Sequence, residues 1–394
     1  MSVEISELSD MIASMRDQLI RWRRHLHRNP ELSFQEKKTS QFVYDTLVQF
    51  PNLLLSRPTP TSVMARLIGA HPGPVLAIRA DMDALPIQEE NQFDFISSVP
   101  ETMHACGHDG HTAILLGTAR ILSELQSELH GEVRFLFQHA EELFPGGASQ
   151  MVAAGVLDHV EAVIGLHLWS PLEVGKIAIK SGPFMAAPDV FHITIQGRGG
   201  HAAMPQAVVD PILTAAHVVT DLQQIVSRRI NPLQPVVLSV TQFHAGTAHN
   251  IIPEKVELNG TVRTFQAELR KQIPQMMEQI VAGICSAHGA TYSFHYEEGY
   301  HPVVNDEPLT DKIRAVLIEV FGDETVIEGE QHMGGEDFSA YQQSVPGTFF
   351  NVGAGNVEKG IIYPHHHPRF TIDEDSLPVG VKAFVSIVLR TMVD

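Results

Sequence analysis

The chain has 394 residues, of which 44% are hydrophobic and 19% are charged, and its formal net charge at pH 7 is −19. This length favours about two domains, and the apolar content excludes a disordered chain. The negative charge argues against nucleic acids and anionic membrane surfaces as partners, because both repel an acidic protein.

The sequence favours a cytoplasmic protein over a membrane or secreted one. No apolar run approaches the roughly 18 residues that a membrane span needs. The acidic residues Glu4, Glu7, Asp10 and Asp17 are not typical of a secretory signal peptide. The 2 cysteines cannot form a disulfide framework, so we expect a reducing, cytoplasmic location.

The amino-terminal segment predicts one helix and the start of a second. Apolar residues recur at helical spacing over about residues 5–27, and Asn29-Pro30 ends the pattern. The sequence Ser33-Phe34-Gln35-Glu36 resembles a capping box. We therefore expect the Ser33 hydroxyl and the Glu36 carboxylate to satisfy free amides at the start of the second helix.

Short apolar runs of the buried-strand type follow. They are residues 75–78, 133–137, 162–166 and 348–352. Helical patterns, such as that over residues 112–125, lie between several of them. Strands that are buried on both faces and separated by helices predict an α/β domain with a mostly parallel sheet and helices on both faces.

The middle of the chain has a different pattern. Residues 191–195 alternate like a half-exposed strand, and Asp210-Pro211 opens a helix whose predicted buried face includes Ile212 and Leu222. The elements that follow are strands near 236–243 and 256–262, a helix at about 268–288 and a strand at 291–296. This β-α-β-β-α-β order predicts a ferredoxin-like α+β domain. We place it at 187–298, inserted into a larger domain formed by residues 1–186 and 299–394.

The densest group of candidate metal ligands surrounds Cys106 and His108. Thiolate and neutral imidazole are good ligands for zinc-like metals. The two side chains converge only in an extended or turn segment, which Gly107 permits. Asp109 is a candidate hydrogen-bond acceptor for a ligand imidazole. A buried free cysteine beside helix-capping residues is the structural alternative.

Glu141 and Glu142 follow the apolar run at 133–137 and precede a turn. Open α/β sheets bind ligands beyond the carboxyl ends of their strands. Because adjacent side chains diverge, one carboxylate can bind a metal while the other acts on the water. A solvated pair of carboxylates is the alternative.

Further candidates are Asp83 and His167, which follow or close predicted strands, and the tract His365-His366-His367. Each alone also fits a structural role, but one sheet edge can gather them with the first two groups. Thiolate, imidazole and carboxylate together suit borderline divalent metals better than calcium or magnesium.

The predicted insertion contributes three candidates for substrate contacts. His201 follows Gly199-Gly200, Asn250 precedes Ile251, and Arg263 ends a strand, where a guanidinium is able to bind a carboxylate through two hydrogen bonds. A turn histidine and a surface arginine are the alternatives.

Together these motifs resemble one branch of the dinuclear-metal peptidase family. That branch includes N-acyl-amino-acid amidohydrolases (aminoacylases), hippurate hydrolases, N-acetyldiaminopimelate deacetylases and plant indoleacetyl-amino-acid hydrolases. The resemblance extends from about His25 to Phe370. The motifs that carry it are Met103-His104-Ala105-Cys106-Gly107-His108-Asp109, Ala140-Glu141-Glu142, Gly165-Leu166-His167, Gly199-Gly200-His201-Ala202 and His366-x-Pro368-x-Phe370.

The resemblance implies a catalytic domain that binds two divalent metal ions and an inserted domain that acts as lid and dimer interface. The metal ligands that it implies are Cys106, His108, Glu142, His167 and His366, with the Cys106 thiolate between the metals. The other implied roles are general acid/base for Glu141, substrate contacts for His201, Asn250 and Arg263, and support of the ligands for Asp83 and Asp109. His365 and His367 stay open as alternatives to His366.

We therefore expect a metal-dependent amidohydrolase that cleaves small N-acyl-L-amino acids to a carboxylate and a free amino acid. The resemblance also implies a homodimer or higher homo-oligomer. An N-acetyldiaminopimelate deacetylase and a metallo-dipeptidase, aminopeptidase or carboxypeptidase are alternative enzymes, and a non-catalytic metal-binding protein is the alternative from another class. Zinc, manganese, cobalt and nickel all suit the predicted ligands.

Overall fold

The computed structural model describes residues 5–392, so Glu4 and the rest of residues 1–4, as well as 393–394, lie outside the described part of the chain. Within it the strands are β1 (Leu53–Ser56), β2 (Val63–Ile68), β3 (His71–Asp81), β4 (His130–Gln138), β5 (Ala162–Glu173), β6 (Ile177–Ile179), β7 (Gly182–Met185), β8 (Ala187–Gln196), β9 (Gly200–His201), β10 (Val236–Ala245), β11 (Ile251–Ile252), β12 (Lys255–Thr264), β13 (Thr291–Glu297), β14 (Val303–Asn305), β15 (Val326–Glu328) and β16 (Gly347–Gly355). The α-helices are α1 (Ile5–Arg28), α2 (Lys37–Leu47), α3 (His108–Glu124), α4 (Ala148–Ala153), α5 (Pro211–Gln224), α6 (Ala267–His288), α7 (Glu307–Phe321), α8 (Ser339–Gln342) and α9 (Ser376–Thr391).

The chain divides into two compact units. The first contains the described residues up to Phe184, Val304–Glu330 and the described residues from Asp337 onward. The second contains Met185–Val303 and Gln331–Glu336. The domain boundaries given above, with an insertion at 187–298, stay a prediction.

The first unit is built on an eight-stranded sheet with the order β1-β2-β4-β3-β5-β16-β6-β15. The neighbours β4-β3, β3-β5 and β5-β16 pair in parallel, whereas β1, β2 and β6 add antiparallel pairs. Every residue of β16 is buried, which requires cover on both faces of the sheet. The predicted α/β class with a mostly parallel sheet and helices on both faces is confirmed.

Helices α1, α3 and α9 pack against one another in the first unit. The predicted amphipathic pattern of α1 is confirmed, since Leu19 and Trp22 are among its buried residues. Gly117 of α3 lies at the contact, where a Cβ atom would be 2.6 Å from Leu19 and 3.0 Å from Val381. The missing side chain therefore allows the three helices to approach closely.

The second unit contains a four-stranded antiparallel sheet with the order β10-β12-β8-β13. Along β8 the residues Phe191, Ile193 and Ile195 are buried, while His192 is exposed, as a sheet with one covered face requires. Helices α5 and α6 contribute the other half of this apolar core. The β-α-β-β-α-β order and this strand order confirm the predicted ferredoxin-like α+β fold.

Two local predictions were wrong. The Ser33 hydroxyl and the Glu36 carboxylate do not cap α2: the hydroxyl donates to Asp83, and the carboxylate accepts from Phe34 and Ala140. The tertiary contacts of two buried polar groups therefore replace the local capping pattern.

In α5, Asp210 caps the helix as predicted, but Ile212 is exposed and Val218 is buried instead.

None of the helices in residues 5–392 combines the length and the apolar character that crossing a membrane requires.

Candidate metal centre and active site

The candidate centre lies at the carboxyl ends of the central strands of the first unit. Asp83 follows β3, Glu141 and Glu142 follow β4, and His167 lies on β5. Because these strands are parallel neighbours, their ends meet at one edge of the sheet. This is where the sequence predicted the candidate ligands to gather.

Cys106 and His108 enter the centre from the start of α3. Gly107 between them has φ 99°, a left-handed conformation that glycine adopts without a steric penalty. The turn brings Cys106 Sγ to 3.4 Å from His167 Nε2. Potential ligand atoms of Cys106, His108 and His167 all lie within 4.8 Å of one another, so these three residues are able to hold one metal ion.

The hydrogen bonds of the two imidazoles leave the same ring nitrogen available for a metal. His108 Nδ1 lies 2.9 Å from the backbone oxygen of Asp83, and His167 Nδ1 lies 2.9 Å from that of Leu168. A carbonyl oxygen only accepts, so each Nδ1 carries a proton, and Nε2 is the nitrogen that the neutral ring offers to a metal. His108 Nε2 is buried and has no hydrogen-bond partner among the described residues. A buried ring nitrogen without a hydrogen-bond partner fits a metal ligand.

A second group shares Cys106. Glu142 Oε1 lies 3.2 Å from His366 Nε2, and Cys106, Glu142 and His366 again have potential ligand atoms within 4.8 Å of one another. The backbone N–H of His366 donates to the carbonyl of Ala105 over 2.8 Å, which fixes the histidine tract beside Cys106. The His366 side chain is 53% exposed, so the centre is open on this side.

His365 and His367, on either side of His366, make other contacts. His365 Nε2 accepts the backbone N–H of Ser170 over 3.2 Å, while its Nδ1 lies 3.9 Å from Cys106 Sγ. Burial lowers the pKa of His365 to about 3, so the ring is neutral and its proton is on Nδ1, facing the sulfur. His367 Nδ1 accepts the N–H of Arg369. Geometry therefore favours His366 over both as the ligand.

The charges at the centre fit a cation. Although burial lowers the pKa of His108, the carboxylates of Asp81, Asp83 and Glu142 together raise it to about 10. Burial, with Glu142 next in effect, raises the pKa of the Cys106 thiol well above its usual value. A bound divalent ion would replace these protons as the positive partner of the carboxylates, and it would bind the sulfur as thiolate.

The two aspartates that were expected to support ligands have different contacts. Asp83 Oδ1 lies 3.3 Å from His108 Nδ1, and its Oδ2 accepts the backbone N–H of Glu142 over 3.0 Å. Asp109 Oδ2 instead accepts from Arg23 and lies 2.8 Å from His27 Nδ1. Within residues 5–392, the hydrogen bonds of Asp109 thus support α1 rather than a candidate ligand.

Sequence reasoning missed a buried network beneath the centre. The Arg79 guanidinium donates to Asp81 over 2.6 Å and to Asp337 over 2.9 Å. His111 Nδ1 lies 2.6 Å from Asp81, and its Nε2 accepts the N–H of Leu168 over 2.8 Å. Both ring nitrogens of His111 have a partner, so this ring links β3 to β5. Its position in the sequence Cys-Gly-His-Asp-Gly-His was the available signal.

The predicted substrate contacts lie in the second unit. His201 on β9 is exposed, and its Nδ1 accepts the N–H of Ala203. The carbonyl of Asn250 accepts the N–H of Ala202, which holds Asn250 beside His201. Arg263 lies on β12 and is partly buried. The structure therefore groups His201 with Asn250, and the roles of all three stay predictions.

Comparison with known proteins agrees with this centre. The family pattern of Peptidase family M20/M25/M40 matches residues 77–390. The chain belongs to this family. It is 64% identical over 299 residues to an N-acyl-L-amino acid amidohydrolase of Geobacillus stearothermophilus, covering 76% of this chain and 81% of the relative. It is 39% identical to thermostable carboxypeptidase 2 of Saccharolobus solfataricus, over 98% of both chains.

A solved structure extends the similarity to three dimensions. It is that of a dinuclear metal-binding peptidase of the M20 family from Bacillus subtilis, with a TM-score of 0.84 and 38% identity. The match covers 96% of this chain and 99% of the other. The predicted family and the predicted metal-dependent hydrolysis of amides are confirmed, and the non-catalytic alternative is excluded. Membership of M20 together with the grouped ligand atoms supports bound metal ions.

Proposed function

We propose that this M20 enzyme hydrolyses N-acyl-L-amino acids with two divalent metal ions in each subunit. Cys106, His108 and His167 would hold one ion, and Cys106, Glu142 and His366 would hold the other. The observation that carries the proposal is that Cys106 belongs to both groups of ligand atoms. Zinc, manganese, cobalt and nickel all fit this ligand set.

Bound divalent ions lower the pKa of water and polarise a carbonyl oxygen. Glu141 is the proposed general acid/base, because it is adjacent to Glu142, largely buried, and grouped with Glu142 and His108. Its carboxylate takes the proton from the attacking water and returns it to the nitrogen of the leaving amino acid. His365, neutral with its proton on Nδ1, holds the Cys106 sulfur in place.

The substrate contacts are proposed on the motif resemblance. Arg263 and Asn250 bind the carboxylate of the amino acid, a task that suits the two parallel N–H donors of a guanidinium. His201 stabilises the negative charge that develops on the acyl oxygen. We also propose that the second unit acts as lid and dimer interface and that the enzyme is a cytoplasmic homodimer or higher homo-oligomer.

The test is a screen of the metal-reconstituted enzyme with N-acetyl- and N-benzoyl-L-amino acids, with detection of the free amino acid. We expect hydrolysis that a chelator abolishes and added metal restores. Glu141→Gln should retain its metal and lose turnover, whereas Cys106→Ala should lose metal as well. A Glu141→Gln enzyme with full metal content and undiminished turnover would disprove the assignment.

Carboxypeptidase activity is the second candidate, because one relative with 39% identity carries that name. A carboxypeptidase and an N-acyl-amino-acid hydrolase both require a free carboxylate beside the scissile amide, but they differ in the group on the other side. Parallel assays of acyl-amino acids and of unblocked dipeptides separate them through the ratio of kcat/KM values. A ratio in favour of dipeptides would replace the first candidate.

A further inference from the structure

The segment Ser33–Glu36, which does not cap α2, contacts the turn that carries Glu141. Glu36 is fully buried, and its Oε1 accepts the backbone N–H of Ala140 over 2.8 Å. The same oxygen accepts the N–H of Phe34 over 3.0 Å. One carboxylate oxygen thus joins two turns that lie 104 residues apart in sequence.

Both donating residues have unusual backbone conformations. Phe34 has φ 65° and Ala140 has φ 50°, the left-handed region that residues with a Cβ atom rarely adopt. Such a conformation persists only where surrounding contacts hold it. At Ala140 these contacts lie on both sides of the residue: Glu36 accepts its N–H, and its carbonyl accepts the N–H of Gly147 over 2.8 Å.

The backbone amide of Glu142, two residues after Ala140, is held in the same manner. The N–H of Glu142 donates to Asp83 Oδ2, which also accepts the Ser33 hydroxyl over 2.6 Å. Two buried carboxylates, Glu36 and Asp83, therefore receive the backbone amides on either side of Glu141. Ser33 and Glu36 lie in one short turn, so this turn fixes the backbone conformation of the segment that carries Glu141 and Glu142.

We propose that Glu36 is a positioning residue for Glu141: by holding Ala140 in the left-handed conformation, it directs the Glu141 carboxylate to the attacking water while Glu142 remains on the metal. The inference rests on the proposed role of Glu141. It adds to that role a residue that touches neither substrate nor metal ligand side chain and that acts only through the backbone of the turn.

The hydrogen bonds require an acceptor oxygen and not a charge. Burial, with the charge of Asp83 next in effect, raises the pKa of Glu36 to about 7. Its Oε1 accepts in either protonation state, and its Oε2 has no hydrogen-bond partner among the described residues. Glutamine keeps the acceptor at the same distance, whereas aspartate keeps the charge and withdraws the oxygen by one methylene.

The experiment compares Glu36→Ala, Glu36→Asp and Glu36→Gln as metal-loaded enzymes on the N-acyl-L-amino acid that the wild type hydrolyses best. We expect kcat to fall about 10- to 100-fold in Glu36→Ala, the effect of misplacing a catalytic group by about 1 Å, with KM and metal content unchanged. Glu36→Gln should retain more kcat than Glu36→Asp. The reverse order would show that charge matters and would overturn the inference, and this comparison remains decisive if Glu36→Ala fails to fold.

Glu31→Ala is the matched control from the same segment. Glu31 Oε2 accepts the N–H and the hydroxyl of Thr39 over 2.8 and 2.9 Å, and within residues 5–392 its hydrogen bonds do not reach residues 140–142. It should lower the melting temperature without lowering kcat of the folded enzyme. Equal losses of kcat in Glu31→Ala and Glu36→Ala would indicate general destabilisation and refute positioning.

A double variant tests the backbone directly. Glycine at residue 140 removes the steric penalty of the left-handed conformation. Adding Ala140→Gly to Glu36→Ala should therefore raise kcat about five- to thirtyfold, up to the wild-type value. No recovery would refute the inference. A Glu141→Gln enzyme that keeps turnover defeats the proposed function itself, whereas an inactive Glu141→Gln with wild-type kcat in Glu36→Ala defeats only the positioning role.

Discussion

Asp83→Asn is expected to weaken metal binding although Asp83 is not a proposed ligand. Asp83 is 1% exposed, and three groups surround its carboxylate: His108 Nδ1 at 3.3 Å from Oδ1, and the Ser33 hydroxyl and the Glu142 N–H on Oδ2. Asparagine offers one acceptor oxygen. If that oxygen stays with Ser33 and Glu142, the amide N–H₂ faces the protonated Nδ1 of His108, so two donors meet.

The magnitude follows from the lost hydrogen bond. A hydrogen bond to a charged group contributes about 1.5–3 kcal/mol, and we take about 2 kcal/mol because the 3.3 Å separation is long. At about 1.4 kcal/mol for each factor of ten, metal affinity falls about 30-fold. This agrees with the roughly 10–100-fold effect of removing groups that hydrogen-bond to a ligand histidine.

The assay is competition for metal between the protein and a chelating dye, with kcat measured at saturating metal. Asp109→Asn is the matched control, since Asp109 is adjacent to His108 in sequence but contacts Arg23 and His27. It should lower the melting temperature and leave the metal affinity of the folded protein unchanged. Wild-type metal affinity in Asp83→Asn, or an equal loss in Asp109→Asn, would refute the reasoning.

Three other outcomes are expected. Metal affinity in competition assays should rise between pH 6 and 8, because binding displaces protons from Cys106 and His108, whose pKa values are raised in the metal-free protein; a flat profile would contradict this. His366→Ala should lose bound metal by elemental analysis, whereas His365→Ala should retain it; the opposite result would make His365 the ligand. Burial lowers the pKa of His27, but its hydrogen bonds with Asp109 and Glu89 outweigh burial and raise the pKa above 6.5. The stability that His27 contributes is therefore complete below pH 6.5 and is lost as the pH rises through the folded-state pKa. The difference in melting temperature between wild type and His27→Gln should therefore shrink as the pH rises above 6.5, and a constant difference would exclude this linkage.

Local sequence patterns predicted most of the fold because the spacing of apolar residues reflects which side chains are buried. The continuous apolar run at 162–166 marks a strand covered on both faces, and the alternation at 191–195 marks one covered on a single face. The same logic placed Asp83, Glu142 and His167 near strand ends, where the structure has them. The choice of His366 came from a motif. Two contacts in the structure support it, since His365 Nε2 and His367 Nδ1 each accept a backbone amide.

The parts that the sequence did not predict are buried polar contacts between distant segments. Ser33 and Glu36 match a capping box in every local respect, and no local rule separates a hydroxyl that caps a helix from one that donates to Asp83. The difference arises because a buried carboxylate needs donors wherever the fold supplies them. The hydrogen-bond partners of Asp109 were not predicted for the same reason. Its neighbour in sequence is His108, but Arg23 and His27 bring two buried donors to its carboxylate. Both cases concern buried acidic groups near the candidate metal centre. Because an unpaired buried charge is costly, such groups take partners from distant segments, and the position of a residue along the chain is a weak guide to its partner.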